Sequence, residues 1–461
     1  MWTLLVAAAV GLWTLLSRSR LLLAVFWPGR RRGASKEAAR LPPGSFGWPL
    51  AGETLDFVSC AYSSRPEAFV DKRRLLHGSA VFRSHLFGSA TVVTSDAEVS
   101  RFVLQSDARA FVPWYPRSLT ELMGKSSILL INGSLQRRVH GLVGAFFKSP
   151  QLKAQVTADM QRRLAPAFAA WRAQGPGARL RIQDHAKAIV FEILVKGLIG
   201  LEAGPETQQL KQQFQEFIVG LMSLPIKLPG TRLYRSLQAK KRMARLIQRI
   251  IQEKRRRRVL DGGGEGPRAP PRDAIDVLIS GGSDELTDEL ISDNMIDLMI
   301  PAEDSVPVLI TLAIKYLSEC PLALQQLEVI TETLRMGNII NGIMRKAVRD
   351  VVVKGHLIPK GWCVFVYFRS VHLDDKLYDE PYRFNPWRWK EKDTSTSSFT
   401  PFGGGQRLCP GLDLARLEAS IFLHHLVTSF RWVAEEDHIV NFPTVRLKRG
   451  MPIRLTAKAH D

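Results

Sequence analysis

Cysteine is scarce: the chain has four, Cys60, Cys320, Cys363 and Cys409, with no paired spacing. That excludes a disulfide framework and zinc-finger ligation, and it points to a reducing compartment for the main body. Acidic residues are also few, 44 against 64 lysines and arginines, for a formal charge of +20. Such an excess raises nucleic acid as a partner. However, the sequence has no recognition-helix pattern and no aromatic-studded basic strand. Its charge gathers in two clusters: Arg30, Arg31, Arg32, Lys36 and Arg40 after an apolar N-terminus, and the run 254–258 ending a helix-like segment. No nucleic-acid partner is expected. No internal repeat is visible, and 45% hydrophobic with 23% charged residues suits a chain that buries a large core.

Long apolar runs are rare, and the first residues hold the clearest. Met1-Trp-Thr-Leu-Leu-Val-Ala-Ala-Ala-Val-Gly-Leu-Trp-Thr-Leu-Leu16 is followed by Arg18 and Arg20 and then by Leu21-Leu-Leu-Ala-Val-Phe-Trp27. A bilayer core needs about twenty apolar residues in helical form, and two snorkelling arginines let one helix run to Trp27. The positive charge follows the apolar run and no small-residue cleavage site precedes Pro28. Residues 1–27 are therefore expected to be an uncleaved membrane anchor rather than a removed signal peptide. Residues 28–50, basic and then proline-rich, read as a stiff hinge, and 51–461 as the catalytic body. An anchor with a cytosolic body implies the endoplasmic reticulum membrane.

The body reads as mainly α with small β-sheets. Residues 66–77 read as a helix, 81–84 and 90–94 alternate as strands, and 132–320 is mostly helical. The segment Leu221-Met-Ser-Leu-Pro-Ile-Lys-Leu-Pro-Gly230 breaks that pattern as an apolar loop that either packs on the core or touches membrane. From Thr287 to about Ser318 the chain is apolar on nearly every face, but Asp297, Glu303 and Asp304 make a membrane span costly, so this is the expected central helix.

The most specific motif is Phe402-Gly-Gly-Gly-Gln-Arg-Leu-Cys-Pro-Gly411, a glycine-rich loop carrying a cysteine into a helix. A thiolate at a helix N-terminus is stabilised by the dipole and by backbone N–H groups. Glycines let backbone approach a flat cofactor, and Arg407 is placed to pair with a carboxylate. This loop resembles the haem-binding loop of the cytochrome P-450 superfamily. The resemblance implies that family's fold, with haem b as cofactor, Cys409 as axial ligand of the iron and Arg407 as a propionate partner. It further makes Phe402 the shield of the sulfur, with Gly405 and Gly411 in the loop wall.

Further segments carry the same resemblance. Glu332-Thr-Leu-Arg335 places a carboxylate and a guanidinium on one helix face, and Pro381-Tyr-Arg-Phe384 offers Arg383 as third member of a buried network supporting the haem loop. Phe384-Asn-Pro-Trp-Arg-Trp389 also matches, and Arg345 aligns with a second propionate arginine. Pro301-Ala-Glu-Asp-Ser305 resembles the oxygen-activating segment, with Asp304 and Ser305 as a proton relay. Pro307 deprives the Glu303 carbonyl of its helical partner and kinks the helix. Gln136 and His140 stand where the family places donors to a propionate.

Stretches 134–153, 299–318 and 335–375 resemble the plant microsomal hydroxylases of brassinosteroid precursors. That implies a monooxygenase taking electrons from NADPH through a reductase and hydroxylating a steroid with dioxygen; another plant terpenoid is the alternative substrate. Phe111 to Trp114, Phe217 to Met222 and Met299 are candidate channel residues. The family adds a minor helix and loops between Pro321-Leu-Ala-Leu-Gln-Gln-Leu-Glu328 and Val329-Ile-Thr-Glu332, whereas here they join at once. About thirty residues are missing at Glu328/Val329. The expectation is one fused helix or an unwound central helix, displacement of Glu332 and Arg335, and a catalytically impaired or inactive isoform.

Overall fold

Proline and glycine punctuation divides the body into the elements seen in the computed structural model. It describes residues 39–49, 51–106, 108–221, 223–261, 270–281, 285–325, 328–390, 398–441 and 444–458. The chain separates into a short N-terminal unit, Met1–Arg40, and a body, Leu41–Asp461. The expected anchor, 1–27, lies outside the described residues, and among the described residues no helix is long and apolar enough to cross a membrane. Of the expected hinge, 41–49 belongs to the body. The Pro43 carbonyl accepts from the Arg83 N–H at 2.8 Å, and Arg83 Nε donates to the Gly44 carbonyl at 2.9 Å.

The body opens with α1 (Thr54–Ala61), α2 (Ala68–His77), β1 (Val81–Leu86), β2 (Ser89–Thr94), α3 (Ala97–Gln105), β3 (Phe111–Pro113) and α4 (Arg117–Met123). The helical block follows with α5 (Gly133–Lys148), α6 (Pro150–Ala173), β4 (Ala178–Arg181), α7 (Ile182–Ile199), α8 (Pro205–Ile218), α9 (Arg232–Asp261), α10 (Ala274–Ser280), α11 (Asp288–Asp304), α12 (Val306–Glu319) and α13 (Val329–Gly337). After them come β5 (Gly342–Ala347), β6 (Val351–Val353), β7 (His356–Ile358), β8 (Cys363–Tyr367), α14 (Phe368–His372), α15 (Leu412–Ser429), β9 (Phe430–Ala434), β10 (Ile439–Val440), β11 (Arg446–Leu447) and β12 (Pro452–Ala457). The largest sheet has five strands in the order β1-β2-β8-β5-β3, with β2 and β8 parallel and the other neighbours antiparallel. The fold is mainly helical with small sheets, as the periodicity predicts.

The expected central helix is two helices, α11 and α12, that break at Ser305 (φ −127°, ψ −69°). Pro301 and Pro307 lie on either side, and each lacks the N–H that would pair with the carbonyl four residues back, on Asp297 and Glu303. The break is therefore shared between two prolines rather than set by Pro307 alone. Ser305 N–H to Pro301 O (3.1 Å) and Leu309 N–H to Ser305 O (2.9 Å) carry the axis across it. The cluster at 254–258 is partly structural, since Lys254 pairs with Asp273 and Asp276 and Arg255 with Asp288 at 2.8 Å.

Past α12 the shortened segment departs from expectation. Pro321–Gln325 forms a 3-10 turn and α13 starts separately at Val329, so the helices do not fuse. Nor are Glu332 and Arg335 displaced. Both are fully buried, and the Glu332 carboxylate accepts from Arg335 Nη2 at 2.7 Å and Nε at 2.9 Å. It also accepts from Arg388 Nε at 3.1 Å, Trp389 Nε1 at 2.9 Å and the Asn385 N–H at 3.1 Å. The third member is thus Arg388, five residues beyond the expected Arg383. Arg383 is 70% exposed and pairs at the surface with Glu380. The 3-10 turn Pro386–Lys390 swings Arg388 and Trp389 inward, a reversal that helix-face counting does not foresee.

This network reaches the cysteine loop through hydrogen bonds. Arg335 Nη1 donates to the His372 carbonyl at 2.8 Å, and the His372 ring bridges Asn338 Oδ1 (2.6 Å) and the Thr400 N–H (3.0 Å). Thr400 O then accepts from the Gly403 N–H at 3.0 Å, and Phe402 O from the Cys409 N–H at 3.1 Å. Burial, with Arg335 and Arg369 nearby, pushes the His372 pKa down to about 3, so the ring stays neutral and donates through Nδ1. Arg388→Ala, which leaves the buried Glu332 charge under-compensated, is expected to cost about 3 to 5 kcal/mol. Arg383→Ala is expected to cost less than about 0.5 kcal/mol. Denaturant unfolding of the two variants side by side checks the assignment.

Candidate active site

The residues quoted from the cysteine loop and the central helix meet at one cavity of about 960 Å³. Its wall includes Cys409, Phe402, Arg407 and Gly411 from the loop, Gln136 and His140 from α5, Arg345 from β5, and Asp304 and Ser305 from the helix break. Glu332 and Arg335 lie behind it as support, and Arg383 lies outside it.

Local structure explains how the loop holds its shape. Gly405 (φ +65°) packs so closely on α3 that an added Cβ would stand 2.2 Å from the Leu104 carbonyl oxygen, and φ > 0 suits glycine besides. Arg407 Nη2 donates to the Ile131 carbonyl at 2.7 Å and to Asn132 Oδ1 at 2.8 Å, tying the loop to the start of α5. His140 Nε2 donates to the Leu408 carbonyl at 2.7 Å, and Gln136 Oε1 accepts from Gln406 Nε2 at 2.6 Å. These contacts place Gln136 and His140 as clamps on the loop as well as on the cavity wall.

Burial raises the Cys409 thiol pKa, and the Gly411 N–H opposes it through a bond to sulfur. A single half-buried cysteine, with Arg345 and Arg407 facing the same space, is a donor set that fits a ferric haem with two propionates.

Asp304 faces Thr444 on the cavity wall and lies within reach of the Arg446 charge. Burial raises its pKa, against the pull of Lys187; Lys187 itself pairs with Glu303 at 2.6 Å. Sequence reasoning missed Thr444 and Arg446, which lie about 140 residues away and show no local pattern. It also missed Asp297, Asn341 and Asn441 on the wall. Of the apolar candidates, Trp114, Ile218, Val219 and Leu221 line the cavity, whereas Phe111, Phe217 and Met299 are core residues pointing elsewhere. Met222 lies outside the described residues.

Fold and site define a cysteine-centred oxidoreductase with a large, mainly apolar pocket. The family profile "Cytochrome P450" matches residues 42–328 and 327–451, and the chain belongs to that family, a monooxygenase with haem-thiolate iron. It is 76% identical over 484 residues to "Cytochrome P450 90D2" of Oryza sativa subsp. japonica, covering 98% of this chain and 97% of the relative. It is 56% identical over 444 residues to "3-epi-6-deoxocathasterone 23-monooxygenase CYP90D1" of Arabidopsis thaliana, covering 90% of this chain and 89% of the relative. Among solved structures, "Retinoic acid bound cyanobacterial CYP120A1" superposes with a TM-score of 0.77 at 23% identity, over 91% of this chain and all of that one, a likeness of fold. The two profile segments meet at 327–328, where the shortened segment was expected, and the rice alignment runs over 484 positions for a 461-residue chain.

Gly405→Ala is expected to lower the melting temperature and the haem bound per polypeptide, because a Cβ there must displace the Leu104 backbone or twist the loop. Haem and protein assays on the purified variant check both.

Proposed function

We propose that this chain hydroxylates a steroid, a brassinosteroid precursor. The observation that carries the reading is a large, mostly apolar cavity that brings Cys409, Asp304 and Ser305 together, in a chain 76% identical to a P450 of the 90D group. A relative 56% identical is named for oxidation at position 23 of 3-epi-6-deoxocathasterone, which makes a steroid side chain the preferred site of attack.

When bound, the haem supplies dioxygen activation at a thiolate-ligated iron. The chain's own parts divide the remaining work. Cys409 would hold the iron, and Arg345, Arg407, His140 and Gln136 would face the propionates. Asp304, facing Thr444, hands protons to the Ser305 hydroxyl at the helix break, and the apolar wall excludes bulk water. Electrons come from NADPH through a reductase. Residues 1–27 anchor the chain in the endoplasmic reticulum membrane, and the exposed Leu224, Ile226 and Leu228 form a second contact.

The reduced, carbon-monoxide-treated protein is expected to give the long-wavelength Soret band of a thiolate-ligated haem. Cys409→Ser is expected to abolish it, and side-chain-bearing steroids to shift wild type from low to high spin. Shifts with other terpenoids and none with steroids would replace the substrate class.

The shortened segment supports a second reading, of an isoform impaired in electron uptake. Glu332 and Arg335 keep their places, so haem retention is expected to match that of a restored-length version. The 3-10 turn at the junction leaves Leu322 83% exposed where the missing residues would extend the reductase-facing side. Reductase-driven reduction is expected to be several-fold slower than in the restored version, with reduction by dithionite equal in the two. Equal reductase rates would remove this reading.

A further inference from the structure

Asp297 precedes Asp304 by seven residues on α11, roughly 10 Å of helix rise, and lines the same cavity as Cys409. It is 5% exposed, and neither carboxylate oxygen has a hydrogen-bond partner. The nearby cation is committed elsewhere, since Lys240 pairs with Asp293 at 2.8 Å and donates to the Met123 carbonyl. Burial pushes the Asp297 pKa up to about 8. The Ser127 hydroxyl, the Lys240 charge and the Ile128 N–H pull it down without closing a bond of ordinary geometry. The group is a neutral carboxylic acid at pH 7, both donor and acceptor, which matches an alcohol.

A purely structural role would be to tie down the segment 126–128. Asn294 already does so, its Nδ2 donating to the Ser126 carbonyl at 3.0 Å. An unsatisfied buried polar group is costly, and this one shares the cavity wall with Met123, Ile128, Leu129 and Leu298. Among the described residues, the remaining unpartnered buried oxygens on the cavity wall belong to Asn341, Asn441 and Glu418, none of them on α11.

We propose that Asp297 determines substrate specificity by hydrogen-bonding a hydroxyl on the ring system of the steroid, at the end remote from the carbon oxidised. The long axis of the substrate then runs along α11, with its side chain at Ser305 and its ring hydroxyl about two helical turns away. This assignment rests on the steroid reading above.

The test is a spin-shift titration of the haem-loaded full chain with three steroids: one hydroxylated on both ring and side chain, one lacking the ring hydroxyl, and one lacking the side-chain hydroxyl. Asp297→Leu is expected to raise Kd about tenfold for the two that carry the ring hydroxyl and to leave unchanged the Kd of the steroid that lacks it. Asp297→Asn, which keeps a donor and an acceptor, is expected to restore most of the affinity. Equal losses for all three steroids, no loss, or a loss that follows the side-chain hydroxyl would overturn the assignment while leaving steroid binding intact. Failure of wild type to respond to any steroid would overturn the steroid reading and the assignment with it. An unchanged carbon monoxide band and melting temperature in each variant confirm that the folded haem protein is being compared.

Discussion

One buried carboxylate organises the proximal half of this protein. Glu332 is removed from water and answered by five donors, from Arg335, Arg388, Trp389 and the Asn385 backbone. An ion removed from water this completely is tolerable only when its partners are held in place. The network therefore demands that α13, the turn Pro386–Lys390 and the segment before the cysteine loop all close on the same point. Through Arg335, His372 and Thr400 that demand reaches Phe402 and Cys409. The same demand explains how the chain absorbs its shortened segment: a 3-10 turn supplies the change of direction, because the alternative is an exposed network and an uncompensated buried charge.

The distal half is organised by backbone groups that are missing. Two prolines six residues apart remove two helical hydrogen bonds, and the central helix breaks at Ser305 between them. The break leaves Asp304 facing Thr444 and Arg446 instead of stacking inside a continuous helix. Above it α11 is intact and mostly apolar toward the cavity, so Asp297 stands out as a polar group without a protein partner. Asp297 and Asp304 thus lie on one helix, at a spacing set by helical rise.

Legibility in the sequence followed contiguity. The loop from Phe402 to Gly411 is ten consecutive residues whose glycines, arginine and cysteine each have a local reason to be there, and it could be read without the fold. Asp304, Ser305 and the proline pair were visible for the same reason, although the break was placed one proline too narrowly. The Glu332–Arg335 pair is a helix-face pattern, yet its third arginine was misplaced by five residues, because a 3-10 turn shifts which side chains face inward.

By itself the sequence determined the helical class and the punctuation of the central helix, and it singled out the Cys409 loop, since all of these are short-range patterns of residue type. Only the tertiary structure decided that Arg388 rather than Arg383 closes the network, that Thr444 and Arg446 face Asp304, that α13 keeps its place despite the shortening, and that Asp297 meets the cavity unpaired. Each of those depends on packing between segments remote along the chain, where burial and hydrogen-bond satisfaction select the partner and no local spacing records the choice.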